Sequence, residues 1–286
     1  MAMQWMRIGL SAVVLTSIAL PIAAQQWPGA SEMPQAEQCA EPYSCIEYLP
    51  LTAAEARSAL GYPHVELEVR NDGAIEQAGA AQERCKEAPV EVVADSPEQR
   101  QLACSAANKA LQLLGRCKVL LRRSLHVEIV NEVRHPLSGP ILGLFDTKRE
   151  RVLVTTFANV PALVRDTPYS ALPQHEFYKS LIVHEVVHGV MHQNLKRQAT
   201  SHSAYEYPAY ALQLESLPSS VREQFLHSFD QRAIRSDYLF NDFVLFFNPF
   251  FFAAHAYQHF KASGNGCAHL AALLEGEVDF ISAMIP

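Results

Sequence analysis

Residues 181–188 read Leu181-Ile182-Val183-His184-Glu185-Val186-Val187-His188, two histidines four positions apart with a glutamate directly after the first. On a helix, four residues turn the chain by about 400° and advance it by ~6 Å, so both imidazoles leave one face and can converge on a single metal ion. Glu185 stands beside that face, where its carboxylate can take a proton from water that the metal activates. The stretch from Leu181 to Met191 is apolar nearly all round, the mark of a buried helix. Burying two imidazoles and a carboxylate there costs several kcal/mol each, in order of magnitude, unless they are paired, hydrogen-bonded or metal-bound. A pattern arising by chance belongs on a solvated face instead.

Catalytic zinc needs a third protein ligand and an open position for water. Downstream, the run Ser201-His202-Ser203-Ala204-Tyr205-Glu206-Tyr207-Pro208-Ala209-Tyr210-Ala211 puts an acid, Glu206, near the start of the next helix, 18 positions after His188. The intervening chain is long enough to finish one helix, turn, and bring a second across the first. With Glu206 in place the chain resembles the gluzincin branch of the zinc metallopeptidases, in which a Glu on a following helix completes a His, His, Glu set. The metzincin pattern does not fit, because Met191 and Asn194 stand where it requires Gly and His.

The likeness covers residues 181–211 directly and the order of strands then helices loosely. It implies one Zn2+ held by His184, His188 and Glu206, with Glu215 ranked second as third ligand, and Glu185 as general base and then proton shuttle in the hydrolysis of a peptide or protein substrate. Such enzymes also aim a Tyr or His at the developing oxyanion. Here the candidates are Tyr210 and His255, with Tyr207, His202 and Tyr257 beside them, and spacing does not choose among these. An edge strand above the active-site helix pairs with extended substrate in that family; the resemblance assigns this role to about residues 152–157, Val152 and Val154 foremost. The competing reading is a non-catalytic exported metal-binding or interaction protein on the same scaffold. An unliganded Glu185 beside the metal speaks against it.

Other eye-catching residues read more plainly. His192 falls about 80° round the helix from His184 and is taken as a supporting or surface residue. His255 and His259 repeat the four-residue spacing, but Ala256 occupies the place of the glutamate. The aromatic run from Tyr238 to Phe252 is interrupted by Asn241, Asp242 and Asn248-Pro249, so it is no membrane span; rings at helical spacing are read as core, with one or two near the site.

These residues need a frame. His64 to Arg70 alternates like a strand and ends in the turn Asn71-Asp72-Gly73; Ser96-Pro97-Glu98-Gln99 is a capping box opening a helix to about Arg116. Strands are expected at 125–133, 140–146 and 151–157, the last two joined as a hairpin through Thr147-Lys148-Arg149-Glu150. From Pro173 onward helices are expected at 174–195, 202–216, 219–230, 236–246 and 249–263. The fold class is therefore α+β, zincin-like by the resemblance: a small antiparallel or mixed sheet, then a helical half, meeting at one central buried helix.

Met1 to Ala24 has one cation, Arg7, then an apolar stretch and small residues before Gln25-Gln26, the pattern of a secretory signal cleaved after Ala24. Residues 25–60 then read as an extended segment tied by disulfides, and 61–286 as the metallopeptidase domain, periplasmic or secreted with no membrane anchor after cleavage. All 6 cysteines follow the cut, an even number suited to disulfides in an exported chain. Cys104 and Cys117 cannot pair with each other if 97–116 is one helix, since ~20 Å separates them. At 49% hydrophobic and 19% charged the chain can bury a sizeable core. Its formal charge of −7, with 30 acids against 23 Lys and Arg, argues against nucleic acid or an anionic membrane as partner, since both need a basic footprint. Nothing in the sequence sets an oligomeric state.

Overall fold

A strand–helix–strand unit opens the described part of the chain. The computed structural model describes residues 81–135, 139–196, 201–229, 240–262 and 266–278; the expected signal, the segment 25–60 with Cys39 and Cys45, and the strand at 64–70 lie outside these. Strands β1 (Ala81–Arg84) and β2 (Val90–Ala94) pair antiparallel. Helix α1 (Pro97–Arg116) then carries the chain to β3 (Leu125–Val130), which runs parallel to β2. The helix starts as its cap dictates: Ser96 Oγ accepts from the Gln99 N–H at 3.1 Å, and Pro97 takes the first turn. The Gln99 side-chain amide donates to Thr156 Oγ1 at 2.8 Å.

β7 (Arg151–Thr155) lies parallel to β3, and β6 (Gly143–Asp146) closes the sheet antiparallel to β7, giving the order β1-β2-β3-β7-β6. The β6–β7 hairpin is as expected. Asp146 Oδ1 accepts from the N–H groups of Lys148 and Arg149 at 3.0 and 3.2 Å, and Glu150 takes the left-handed conformation that completes the turn. The strands expected at 125–133 and 140–146 are each broken. Their inner ends form a separate two-stranded ladder, β4 (Val133–His135) with β5 (Gly139–Ile141), which Thr155 staples to the sheet by accepting from the Val133 N–H and donating to the Ile141 carbonyl.

Alternation gives the sheet an apolar face toward the helices, and a smaller buried cluster of Val130, Val133 and Leu153 stands apart from it. Val90, Val92, Leu125, Val127, Val152 and Val154 are buried under the helices, while Glu91, His126, Glu128 and Arg151 point the other way, with Arg151 Nη1 at 2.7 Å from Glu128 Oε2. After the short helix α2 (Val160–Val164), helix α3 (Gln174–Asn194) fills the centre, buried from Phe177 to Met191 apart from Lys179 and His188. It is followed by α4 (His202–Ser216), α5 (Ser219–Leu226), α6 (Asp242–Phe247), α7 (Pro249–Ala262) and α8 (Gly266–Glu275). α3 packs on the sheet and on α1, α4 packs against α3, and α7 packs against α4.

The domain is thus mixed α and β, with the buried helix between its sheet and its remaining helices. Of the aromatic run, Phe240 and Phe252 are core, at 1% and 0% exposure, whereas Phe243 and Phe247 are exposed. Two disulfides are formed among the described residues, Cys85–Cys104 and Cys117–Cys267, with Cα atoms 5.4 and 4.7 Å apart. The exclusion of a Cys104–Cys117 bridge holds, since α1 is continuous between them.

Candidate metal centre

α3 and α4 bring three candidate ligands to one point. His184 and His188 leave the same face of α3, and Glu206 reaches them from the first turns of α4, whose start is fixed by Ser201 Oγ accepting from the Ala204 N–H. The two Nε2 atoms are 3.0 Å apart; Glu206 Oε2 lies 3.2 Å from His184 Nε2 and Oε1 3.4 Å from His188 Nε2. Bonds of about 2.0–2.1 Å to a tetrahedral zinc place neighbouring donor atoms about 3.3 Å apart. The three side chains therefore already stand at the spacing of one coordination shell, and they form the single His/Cys/Asp/Glu group among the described residues with metal-ligating geometry.

The electrostatics follow from the crowding. Burial would raise the Glu206 pKa, but the imidazoles of His188 and His184 hold it well below the usual carboxylate range. Burial likewise works to lower His188, and the facing Glu206 carboxylate more than offsets it, leaving the imidazole pKa raised. Glu185, 5% exposed, is pushed up by burial against the opposing pull of His184 and His188. Its carboxylate lies against β6: a Cβ on Gly143 would sit 2.9 Å from Glu185 Oε1 and 3.0 Å from the Leu153 carbonyl. Only a residue without a side chain lets the strand come this close.

Sequence reasoning missed a further member of the site, Gln213. It lies on α4 two turns beyond Glu206, is 2% exposed, and its Oε1 accepts from His184 Nδ1 at 3.0 Å. That bond puts the proton on Nδ1 and leaves the Nε2 lone pair facing Glu206 and His188. The signal was the spacing 206, 210, 213, one face of a helix. Replacing Gln213 with Leu should lower zinc affinity about 10–100-fold while the fold persists, as read by competition with a chelating dye; unchanged affinity would remove Gln213 from the site. Gly143, too, carried a signal, a glycine inside the apolar strand run Ile141 to Phe145.

Several expected residues are placed, and some displaced. Tyr210 packs edge-on against His184, ring centroids 4.6 Å apart, and burial together with the Glu206 charge holds its hydroxyl well above the ordinary phenol pKa, so it stays a donor. Its neighbour Tyr207 is fully buried and bonded to His259 Nδ1 at 2.7 Å. His255 is buried on α7, where Phe251 and Gln258 of the same helix contact it. His202 is exposed beside Asp242, and Tyr257 lies under the Arg222 guanidinium. Glu215 turns to Lys261 and Arg222, away from the histidines, and His192 packs on Phe145.

The assignment of Val152 and Val154 to substrate pairing does not hold. Both are 0% exposed, and β7 is an inner strand hydrogen-bonded on both sides. At this end of the sheet the edge strand is β6. Because the Thr155 N–H donates to the Leu142 carbonyl at 2.8 Å, Leu142 and Thr155 are a hydrogen-bonded pair, and antiparallel alternation turns the peptide groups of Gly143 and Phe145 outward.

No curated protein and no solved structure matches this chain. A family model does, over residues 90–283, a span that takes in the sheet from β2 onward, both histidines, Glu185, Glu206 and Gln213. The chain belongs to that family, DUF6639, a family of unknown function.

Proposed function

We propose that this protein is an exported zinc-dependent peptidase of the gluzincin type, acting on extended peptide or protein substrates. The observation that carries the reading is the convergence of His184, His188 and Glu206 to within 4.8 Å of one another, with a buried carboxylate at the position next to His184 that is no part of the ligand set. A zinc ion held there would supply Lewis-acid polarisation of a carbonyl and activation of water. Glu185 accepts the proton from the attacking water and passes it to the leaving amine. Tyr210, kept protonated by burial, donates a hydrogen bond to the oxygen that gains charge. Gly143 and Phe145 on the open edge of β6 offer peptide N–H and C=O groups to a substrate strand, the role first assigned to β7.

The disulfides fit an oxidising compartment, and among the described residues no helix is long and apolar enough to cross a membrane. The test is metal analysis of protein purified without added metal, paired with digestion of a peptide library. The expected result is one zinc per chain and cleavage that a chelator stops and added zinc restores. Chelator-insensitive cleavage, or zinc with no cleavage of any peptide, would overturn the reading; the second outcome is what a metal-binding protein without hydrolytic activity gives.

A further inference from the structure

The overall negative charge conceals a basic surface at the far end of α1. Between Arg116 and Ser124 there is no acid, and Arg116, Lys118, Arg122 and Arg123 are all exposed. Residues 119–122 lie between helix and strand, and their exposure alternates along the chain. Val119 is buried and Leu121 packs on the core, which turns Lys118, Leu120 and Arg122 outward together. Leu120, at 63% exposure, is the most exposed large apolar residue among those described.

This loop is held rigidly. Gln193 Oε1 at the end of α3 accepts from the N–H groups of both Arg122 and Arg123, at 3.0 and 2.9 Å, and Asn194 donates to the Leu120 carbonyl at 2.8 Å. Cys117 is bonded to Cys267. An ion pair from Arg123 to Glu150 brings the β6–β7 turn alongside, adding the exposed Arg149. The anchoring presents an apolar tip beside Lys118 and Arg122, with Arg123 and Arg149, paired to Glu150 and Asp146, at its margin.

We propose that this loop seats the protein on an anionic phospholipid surface, with Leu120 entering the acyl boundary and Arg116, Lys118, Arg122, Arg123 and Arg149 facing lipid phosphates. An exposed apolar group with basic neighbours is the combination that peripheral attachment uses, and charge complementarity selects a bilayer carrying negative headgroups. The net charge of −7 averages over the whole chain, whereas this basic footprint is confined to one end. The inference does not depend on the peptidase reading.

The test is flotation of the full chain with phosphatidylglycerol-containing vesicles and with pure phosphatidylcholine vesicles, at low and high salt, comparing the parent with Leu120→Asp and with the double variant Lys118→Glu/Arg122→Glu. Residues 1–24 are common to all three, so the difference isolates the loop. Each variant should bind the anionic vesicles at least tenfold more weakly than the parent, with unchanged Tm, and the parent's excess binding should vanish at high salt. Equal binding by parent and Leu120→Asp overturns the proposal, as does equal parental binding to both vesicle types. A parent that is dimeric in gel filtration and monomeric as Leu120→Asp would show instead that the loop joins two copies of the chain, and would equally overturn it.

Discussion

Replacing Glu185 with glutamine should leave zinc bound at its parental stoichiometry and lower kcat/KM by about 10²–10⁴-fold, the range that a positioned general base contributes. The two side chains have the same shape, which matters because Glu185 lies against Gly143 with no room for a bulkier group. The amide cannot take the proton, and since Glu185 is not among the converging ligands, metal affinity should not follow activity down. Burial already raises the Glu185 pKa, so its charged form is the strained one. Removing that charge should leave Tm of the metal-free protein unchanged or raise it. Peptide hydrolysis, zinc content and a melting curve on one preparation decide the matter. A variant that cleaves as fast as the parent sinks the assignment of the base, and one that loses zinc as well means the carboxylate is a ligand.

Glu206→Gln attacks the other half of the site. Glu206 is the only acid of the three candidate ligands, and its ionised form is what the two imidazoles stabilise. A neutral amide keeps the shape, removes the charge, and is a poor zinc donor, so zinc affinity should fall by more than the about 10–100-fold expected at Gln213. Saturating zinc at about 1,000 times its Kd adds roughly 4 kcal/mol to the folded state. The parent should therefore melt several degrees lower after chelation, and Glu206→Gln should melt at one temperature with or without chelator. If the variant keeps the chelator-dependent shift, Glu206 does not hold the metal; if Glu215→Gln alone loses it, the second-ranked acid was the right one.

What could be read from the residues, and what could not, divides along a physical line. The motif on α3 announced itself because a helix makes i and i+4 neighbours whatever surrounds it, and the bounds expected for α4, residues 202–216, match the observed ones. Glu206 was reachable for the same reason. Sheet order was not, because pairing between strands distant in sequence leaves no local trace: Val152 and Val154 look like any half-buried strand, and only the structure shows β6 outside β7. β1 escaped notice because all four of its residues are exposed and polar or small, without alternation. The break at Asn131-Glu132 within the alternating run 125–133, and α8, were likewise not anticipated. Gln213 hid in plain view, an amide whose role exists only once α4 lies across α3.

The Cys117–Cys267 bond has a consequence for the unfolded chain. It closes a loop of 150 residues that contains β3 to α7, and so every ligand, the candidate base and the open strand edge. By loop-closure entropy a link of that span disfavours the unfolded ensemble by about 5 kcal/mol, comparable to the whole net stability of many domains. Reduction frees both ends of the segment that carries the chemistry. The same polypeptide is then a well-restrained molecule under oxidising conditions and a marginal one under reducing conditions, and its persistence depends on the redox potential around it as much as on its core.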